Sequence, residues 1–287
     1  MFNILVTGAE GQLGQCFQAV AKEFPKYNLF FVSKNAMDIT KAKSIERVYN
    51  QHPFEGIINC AAYSKVDQAE IEIEKAHQIN HQGIQNLVAL AEQKDLFIIH
   101  FSTDYIFDGR ERRPIKEENA TNPLNRYAES KLAGEKVLSK SKCSNITFRV
   151  SWLFSPFGSN FVKTILRLSE TKDEIKVVKD QFGRPTYGID LARVVLDKLT
   201  HPGFFDFNCY HYASKGIISR FDLAKKVSDF SKNHFVVTPC LTPDYPTPAV
   251  RSKYTVLDTT RIENHLSFVP STWENALQRC LKRIELK

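Results

Sequence analysis

The chain has 287 residues, 43% of them hydrophobic and 25% charged, which is ordinary for a globular protein with a large core and room for two lobes. The net charge of +7 is compatible with an anionic small substrate without requiring one. Lysine and arginine are spread along the whole chain, which argues against nucleic-acid binding, and no apolar run approaches the length of a membrane span.

The six cysteines, at positions 16, 60, 143, 209, 240 and 280, indicate a reducing environment. None forms a Cys-x-x-Cys pair, and Cys16 and Cys60 fall in apolar surroundings, so reduced thiols fit better than disulfides or a zinc site. The first predicted strand begins at residue 2, which leaves no room for a secretory signal. We therefore expect a cytoplasmic protein.

The chain opens with a predicted strand over 2–7 that runs into a glycine-rich turn. Gly8, Gly11 and Gly14 lie three apart, and Gln12 and Leu13 stand between the last two. Glycine allows a tight turn and a close approach to a pyrophosphate, and the following helix, predicted to reach about Phe24, offers free N–H groups to that anion. A glycine pattern placed between a strand and a helix predicts dinucleotide binding.

In a dinucleotide-binding fold, residues at the end of the second strand, predicted here over 28–32, contact the adenosine ribose and select between NAD and NADP. Ser33, Lys34 and Asn35 follow this strand and include no acid, which favours NADPH over NADH. A Lys34 that is simply exposed explains the same residues nearly as well. Asp38-Ile39-Thr40 is predicted to open the next helix, in which Asp38 or Thr40 also suits a plain cap.

Continued alternation of strands and helices predicts an α/β fold. A third strand over 56–60 ends in Ala61-Ala62-Tyr63, where small residues let the backbone lie against a flat cofactor group, and a helix around 70–93 leads to a buried strand over 96–101. We expect a doubly wound parallel (Rossmann) sheet with a smaller α/β substrate-binding lobe. The predicted dinucleotide-binding domain takes 1–153 and about 176–203, and the lobe takes about 154–175 and 204–287.

The buried strand over 96–101 leads into the predicted catalytic residues. It is followed by Thr103 and Asp104, and Asn122-Pro123 is predicted to start a helix that places Tyr127 and Lys131 on one face. A lysine ammonium lowers the pKa of a neighbouring phenol, and such a phenol can pass a proton to a developing alkoxide. The Tyr-x-x-x-Lys spacing alone is weak evidence for a catalytic pair, since a chain with ten tyrosines produces it by chance. The position of this pair after a nucleotide-binding half strengthens the prediction.

The later half offers candidates for the substrate site. Trp152 follows a strand predicted over 146–150 and suits either the cover of a sugar ring or a place in the core. A helix over 160–170, a strand over 175–178 and an amphipathic helix over 189–200 come next. Arg251 and Lys253 follow a proline-rich loop and are either contacts for a diphosphate or plain surface charges.

Together these residues resemble the extended short-chain dehydrogenase/reductase superfamily and, within it, the dTDP-4-dehydrorhamnose reductase family, over nearly the whole chain. The glycine turn and the Tyr127–Lys131 pair match the superfamily. The motifs of the narrower family are Asn59-Cys-Ala-Ala-Tyr63, Val66-Asp-Gln-Ala-Glu70, Ser102-Thr-Asp-Tyr-Ile-Phe-Asp-Gly109, Ser151-Trp152 and Asp180-Gln-Phe-Gly-Arg-Pro-Thr186.

The resemblance implies reduction of the 4-keto group of dTDP-4-dehydro-L-rhamnose to dTDP-L-rhamnose, with NADPH or NADH as hydride donor. It implies that Tyr127 is the proton donor, that Lys131 lowers its pKa and binds the nicotinamide ribose, and that Thr103 tunes the site. The implied cofactor contacts are Gly8, Gly11, Gln12, Leu13, Gly14, Asp38, Ile39, Ala61, Ala62, Tyr63, Tyr127 and Lys131. The implied contacts of the dTDP-sugar are Thr103, Asp104 and Trp152.

Two departures from the family pattern bear on assembly and on substrate contacts. Some members dimerise through a metal held by glutamates, one of them in the first helix, where this chain has Gln15-Cys16-Phe17-Gln18; this argues against bound Mg²⁺ and leaves a monomer or a homodimer without a metal bridge. An expected Arg-Pro pair reads Arg251-Ser252. The alternatives are a reductase or epimerase of another nucleotide sugar and a non-catalytic subunit like the β regulatory subunit of methionine adenosyltransferase.

Overall fold

Strands and helices alternate through the first half of the protein, whose computed structural model describes residues 2–230 and 235–285. The strands are β1 Phe2–Thr7, β2 Tyr27–Val32, β3 Gly56–Asn59, β4 Phe97–Thr103, β5 Asn145–Val150, β6 Leu153–Phe154, β7 Glu174–Val178, β8 Phe182–Gly183, β9 Thr186–Tyr187, β10 Cys209–Tyr212, β11 Ile218–Ser219, β12 Val236–Cys240 and β13 Tyr254–Thr255.

The α-helices are α1 Gln12–Val20, α2 Ala42–Gln51, α3 Ile73–His77, α4 Gly83–Lys94, α5 Arg126–Leu138, α6 Phe161–Ser169, α7 Gly188–Lys198, α8 Arg220–Phe230, α9 Thr260–His265 and α10 Trp273–Glu285. Short 3₁₀ turns cover Ala21–Glu23, Gln68–Glu70, Asp104–Ile106 and Thr242–Asp244, and a π-helical turn covers Gln78–Gln82.

The central sheet has six strands in the order β10-β5-β4-β3-β1-β2, and every neighbouring pair is parallel. The order reverses at β1, with β2 on one side and β3 on the other. In an open parallel sheet the ligand crevice lies beyond the carboxyl ends of the strands at such a reversal. The predicted doubly wound parallel sheet is therefore confirmed, and the crevice is expected beyond Thr7 and Asn59.

Alternate residues of each strand supply two cores, one on each face of the sheet. Ile4 and Val6 of β1 pack in a cluster that also contains Phe17 of α1 and residues of α7. Leu5, between them, packs in a second cluster with Ile45 of α2 and residues of α4. This pattern produces three layers, with the sheet in the middle.

The later half forms smaller sheets against this body: β12-β7, β11-β8-β13 and β6-β9. Two elements differ from the predicted division of the chain. β10 belongs to the central sheet, because it pairs with β5 and buries Tyr210 fully beside Phe148, and β7 lies outside that sheet, because it pairs with β12. The division into two lobes otherwise stays a prediction; residues 1, 231–234 and 286–287, which fall in its ranges, lie outside the described residues.

The helix that carries Tyr127 begins three residues later than predicted. The N-cap is Asn125, whose side-chain oxygen accepts a hydrogen bond from the Ala128 N–H at 2.9 Å. The exposed Asn122, the predicted cap, instead donates its side-chain amide to the half-buried Asp108 at 3.0 Å. The prediction that Tyr127 and Lys131 lie one turn apart on the same helix is confirmed.

Two other predicted helices also change. Asp38 does not open a helix: its carboxylate accepts from the Thr40 N–H and hydroxyl in a turn, and α2 begins at Ala42. The helix predicted over 70–93 is interrupted by the π-helical turn at Gln78–Gln82, which directs the buried Asn80 toward neighbouring polar groups. Across residues 2–230 and 235–285, no helix combines the length and apolar character needed to cross a bilayer.

Replacing Asn125 by alanine tests the cap assignment. We expect the free energy of unfolding to fall by about 1–2 kcal/mol, because the variant loses the cap and a bond from the Asn125 amide to the Val250 carbonyl at 2.9 Å. The matched control Asn122→Ala should change it by less than about 0.5 kcal/mol, since that side chain bonds only at the surface. Chemical denaturation measures both, and equal losses would contradict the assignment.

Candidate active site

The glycine turn after β1 is built so that side chains would not fit. Gly8 has a φ of 61°, in the left-handed region, and a Cβ there would lie 2.7 Å from the backbone nitrogen of Ala61. A Cβ on Gly14 would lie 2.8 Å from Cα of Ala9. The two positions bring the start of α1, the end of β1 and the end of β3 into direct contact.

The start of α1 offers free donors toward the crevice. Gly11 occupies the N-cap position, and within the described residues no side chain caps the first turn. The Nε2 group of Gln12 is buried and lacks a partner among the described residues. Leu13 and Gly14 are themselves buried, so they face a ligand only through backbone. Unpaired donors at a helix N-terminus favour an anion such as a pyrophosphate.

A cavity of about 340 Å³ opens beside this turn. Six of the predicted cofactor residues line it: Gly8, Gly11, Asp38, Ile39, Ala61 and Ala62. Lys34 lines this cavity and also two adjoining ones, of about 680 and 570 Å³, that share Lys41. The structure therefore brings the end of β2 to the predicted adenosine side of the crevice.

Asp38 at this rim is an ionised acceptor. Burial alone would raise its pKa, but the two bonds from Thr40 and the charges of Lys34 and Lys41 hold the pKa below its usual value. The carboxylate thus has a turn-forming role, and the predicted helix cap at Asp38 or Thr40 is wrong, because α2 begins at Ala42.

Asn80 links the segment that follows β3, which contains Tyr63, to α5, the helix that carries Tyr127 and Lys131. Its side chain accepts from the Tyr63 N–H at 2.9 Å, donates to the Tyr63 carbonyl at 3.0 Å and donates to the Ser130 hydroxyl of α5 at 2.9 Å. The Tyr63 hydroxyl donates to Glu72 at 2.8 Å, and burial together with this bond raises its pKa to about 12. No motif in the sequence marks Asn80, because only the π-helical turn directs it inward.

Tyr127 lies beside the predicted partner Thr103. It packs against Tyr63 and meets Tyr105 edge to face, with ring centroids 6.3 Å apart, and its hydroxyl shares a hydrogen bond with Thr103. Burial raises the pKa of Tyr127 above its ordinary value, the charges of Asp104 and Tyr105 add to this, and the Thr103 bond opposes it.

The Lys131 amine points toward β4. It donates to the Phe101 carbonyl at 2.7 Å and lies 3.1 Å from Nε2 of His100. Burial lowers the pKa of Lys131 to about 8, against the opposing charge of Glu135. At the phenol, burial dominates and the net shift is upward; the expectation that Lys131 lowers the pKa of Tyr127 stays a prediction.

Asp104 is a buried carboxyl group, 2% exposed, beside the predicted catalytic residues. It accepts from the Thr255 hydroxyl at 2.6 Å and from the Thr103 hydroxyl at 3.3 Å. Burial raises its pKa to about 6, although the Thr255 bond and the charge of Arg220 pull it down. The group thus changes charge close to neutral pH.

Trp152 stacks with Arg220, an arginine distant in sequence. Its backbone has a φ of 48°, a costly conformation for a bulky residue, and the Arg220 guanidinium lies 3.9 Å from its ring centroid. A guanidinium nitrogen of Arg220 also donates to the Tyr105 hydroxyl at 3.4 Å. Arg220 is the first residue of α8, far along the chain, and no local pattern marks it.

Arg251 and Lys253 both have carboxylate partners. Arg251 makes a two-pronged ion pair with Asp67, at 2.9 and 2.7 Å, and Lys253 lies 3.1 Å from Asp180. Arg251 therefore fastens the proline-rich loop to the first half of the chain. Arg220 is the cation that stands beside Trp152 and Asp104.

A family model described as the RmlD substrate binding domain matches residues 2–286. The chain belongs to the RmlD family. It is 35% identical to dTDP-4-dehydrorhamnose reductase of Aggregatibacter actinomycetemcomitans, with 97% of this chain and 98% of that protein covered. The family resemblance drawn from the motifs is confirmed.

Solved structures agree with this RmlD assignment. A dTDP-4-dehydrorhamnose reductase from Clostridium acetobutylicum superimposes with a TM-score of 0.93 at 35% identity, over 99% of each chain. One from Bacillus anthracis, in complex with NADP, superimposes with a TM-score of 0.91 at 33% identity, over 98% of this chain and 99% of that one.

The buried carboxyl of Asp104 predicts a pH-dependent stability. Because burial raises its pKa from 3.8 to about 6, the folded state holds a proton that the unfolded state releases between these pH values, so rising pH destabilises the fold. The unfolding free energy of the wild type minus that of Asp104→Asn should fall by about 3 kcal/mol from about pH 3 to about pH 8. Urea denaturation across this range measures it, and a flat difference would refute the assignment.

Proposed function

We propose that this RmlD-family protein reduces the 4-keto group of dTDP-4-dehydro-L-rhamnose to give dTDP-L-rhamnose, with NADPH or NADH as hydride donor. The observation that carries the proposal is that Ala61 and Ala62 line the glycine-turn cavity, while Asn80 links the next residue, Tyr63, to the helix that carries Tyr127. The relatives with this activity in their names match the chain over nearly its full length.

The residues of the crevice fit a dinucleotide. The N-terminus of α1 would hold the pyrophosphate, and the free Nε2 donor of Gln12 lies at the same place. Ala61 and Ala62, with their small side chains, would lie against the cofactor, and the cationic rim at Lys34 would meet the adenosine ribose. The cofactor, when bound, supplies the hydride.

Tyr127 is the proposed proton donor. Its raised pKa keeps the phenol protonated at neutral pH, so that it has a proton to give when the carbonyl oxygen of the sugar gains negative charge. Thr103 orients the phenol through their shared hydrogen bond. Lys131 is proposed to bind the nicotinamide ribose and, with its charge, to favour the phenolate left behind.

The sugar and its diphosphate are proposed to lie between Asp104, Trp152 and Arg220. Asp104 supplies a polar contact at the sugar, and the Trp152–Arg220 stack supplies an apolar wall with a cationic edge. Arg220 is the new member of this set, because its guanidinium reaches the Tyr105 hydroxyl next to Tyr127. A guanidinium in this place suits a diphosphate.

The location and assembly of the protein stay predictions. The six cysteines are free thiols, which supports the proposed cytoplasmic location. In α1, Cys16 and Phe17 are fully buried in the core and thus face away from any subunit contact. This supports a monomer or a homodimer without a metal bridge through α1.

Tyr127→Phe tests the proton donor. NADPH oxidation with dTDP-4-dehydro-L-rhamnose, followed by absorbance, should slow by about 10²–10⁴-fold, because the variant keeps the ring and loses the proton. The matched control Tyr49→Phe, on α2 and packed against Phe54, should retain the wild-type rate.

Equal rates for the wild type and Tyr127→Phe would remove the proton-donor assignment. A wild type that binds NADPH tightly but turns over none of a panel of dTDP-keto sugars would instead favour a regulatory subunit. Turnover of a different nucleotide sugar, without turnover of dTDP-4-dehydro-L-rhamnose, would assign that sugar as the substrate.

Lys34→Ala tests the preference for NADPH. We expect NADPH affinity to fall about tenfold with little change for NADH, because only NADPH carries a 2′-phosphate for the ammonium to bind. Lys140→Ala, an exposed lysine beyond the end of α5, is the control for lost charge. Calorimetric titration with each nucleotide measures the ratio, and an unchanged ratio would exclude Lys34 as the selecting residue.

A further inference from the structure

Two exposed isoleucines lie at the rim of the crevice, and the proposed reaction gives them no role. Ile71 is 82% exposed and Ile73 is 37% exposed, and neither belongs to the hydrophobic cores formed by the described residues. Both line the cavity of about 680 Å³ that adjoins the glycine-turn cavity. An apolar side chain left open to water inside a cavity is stabilised when an apolar ring covers it.

The segment that carries the two isoleucines is held on both sides by buried alanines. Ala69, before the pair, and Ala76, after it, are fully buried in one cluster with Tyr63. Ile71 ends the 3₁₀ turn and Ile73 begins α3, so both lie between these two fixed points. The exposure of Ile71 and Ile73 is therefore a consequence of how the segment is anchored.

Glu72, between the isoleucines, connects them to the predicted cofactor wall. Its carboxylate accepts from the Tyr63 hydroxyl at 2.8 Å and from the Lys75 amine at 3.0 Å. Tyr63 directly follows Ala61 and Ala62, which line the glycine-turn cavity. The side chain of Glu72 thus fixes the isoleucine pair relative to the end of β3.

The cavity lined by the isoleucines is continuous with the glycine-turn cavity. Lys34, Asp38, Thr40 and Ile79 line both. Lys34 and Lys41 add positive charge to the cavity that contains the isoleucines. A ligand that suits this space has a flat apolar ring joined to phosphate groups, and the adenosine end of a dinucleotide has this composition.

We propose that Ile71 and Ile73 form part of the adenine site, in which the base of NADPH or NADH lies against both side chains. The proposal rests on the dinucleotide binding in the proposed function and not on the reaction. Because NADPH and NADH carry the same base, these contacts support the affinity for both nucleotides equally. Lys34, in contrast, is proposed to act only on the 2′-phosphate, so affinity and selectivity depend on different residues of one rim.

The first measurement detects the contact in the wild-type protein. The full chain is labelled with ¹³C in the δ1 methyl groups of isoleucine and saturated with NADPH. Ile71→Val and Ile73→Val assign the two signals, because valine has no δ1 methyl group. We expect nuclear Overhauser effects between both methyl groups and the C2 or C8 proton of the adenine, with NADPH and with NADH. A saturated complex without these effects would overturn the proposal.

The second measurement is calorimetric titration of Ile71→Ser with each nucleotide. We expect the affinities for NADPH and NADH to fall by the same factor, about three- to tenfold, because the variant loses apolar contact with a base that both carry. The conservative variant Ile71→Leu should retain the wild-type affinities. A loss confined to NADPH, or no loss for either nucleotide, would contradict the contact with the base.

Two controls separate a lost contact from a damaged protein. Val269→Ser changes an equally apolar side chain that is 73% exposed and does not line the crevice cavities, and it should bind both nucleotides as the wild type does. The urea unfolding midpoint of Ile71→Ser should match that of the wild type, because the replaced side chain is mostly exposed.

The remaining outcomes distinguish this proposal from the proposed reaction. Methyl signals of Ile71 and Ile73 that shift with protein concentration, and not with nucleotide, would assign a second copy of the chain to this surface and overturn the proposal. Both measurements are made without sugar. Adenine contacts without turnover of any sugar would reject the reaction and leave the adenine site standing. Turnover without the contacts would reject the adenine site and leave the reaction standing.

Discussion

The burial of Lys131 is the constraint on which the candidate site depends. An ammonium withdrawn from water is unstable unless hydrogen bonds and charges compensate for the lost solvation. Here the amine meets the Phe101 carbonyl and His100, both on β4, so the position of α5 against the sheet is fixed at this point. The Asn80 side chain fixes the other side of α5 through Ser130. Tyr127, one turn before Lys131, is thereby held beside Thr103 and Tyr105.

The parts of the site that depend on neighbours in sequence were predictable. The glycine turn, the strand ending at Thr103 and the spacing of Tyr127 and Lys131 are each read from a few consecutive residues, because backbone sterics and helix periodicity act locally. Capping is also local, yet Asn122 and Asn125 compete for the same helix start. The choice between them was settled by a distant acceptor, the Val250 carbonyl, which sequence reasoning had no means to see.

The parts that the sequence did not predict come from contacts between distant segments. Asn80 is an ordinary polar residue until the π-helical turn directs it at Tyr63. Arg220 becomes relevant only because α8 begins beside Trp152. The net pKa shift of Tyr127 was not predictable for the same reason: the sequence shows that a lysine lies one turn away, but the amine's direction and the burial of the phenol belong to the tertiary structure.

These distant contacts also explain how the later half of the chain acts on the reaction centre. Thr255 binds Asp104, Ser252 donates to the Phe107 carbonyl at 2.6 Å, and Arg251 holds Asp67, so three bonds within five residues fasten this segment to the loops beyond β3 and β4. A change of sugar specificity through this segment would therefore also move Asp104, which touches Thr103. Because Thr103 is the proposed partner of Tyr127, the proposed sugar contact and the proposed proton donor share one hydrogen-bonded path, and neither is expected to change independently of the other.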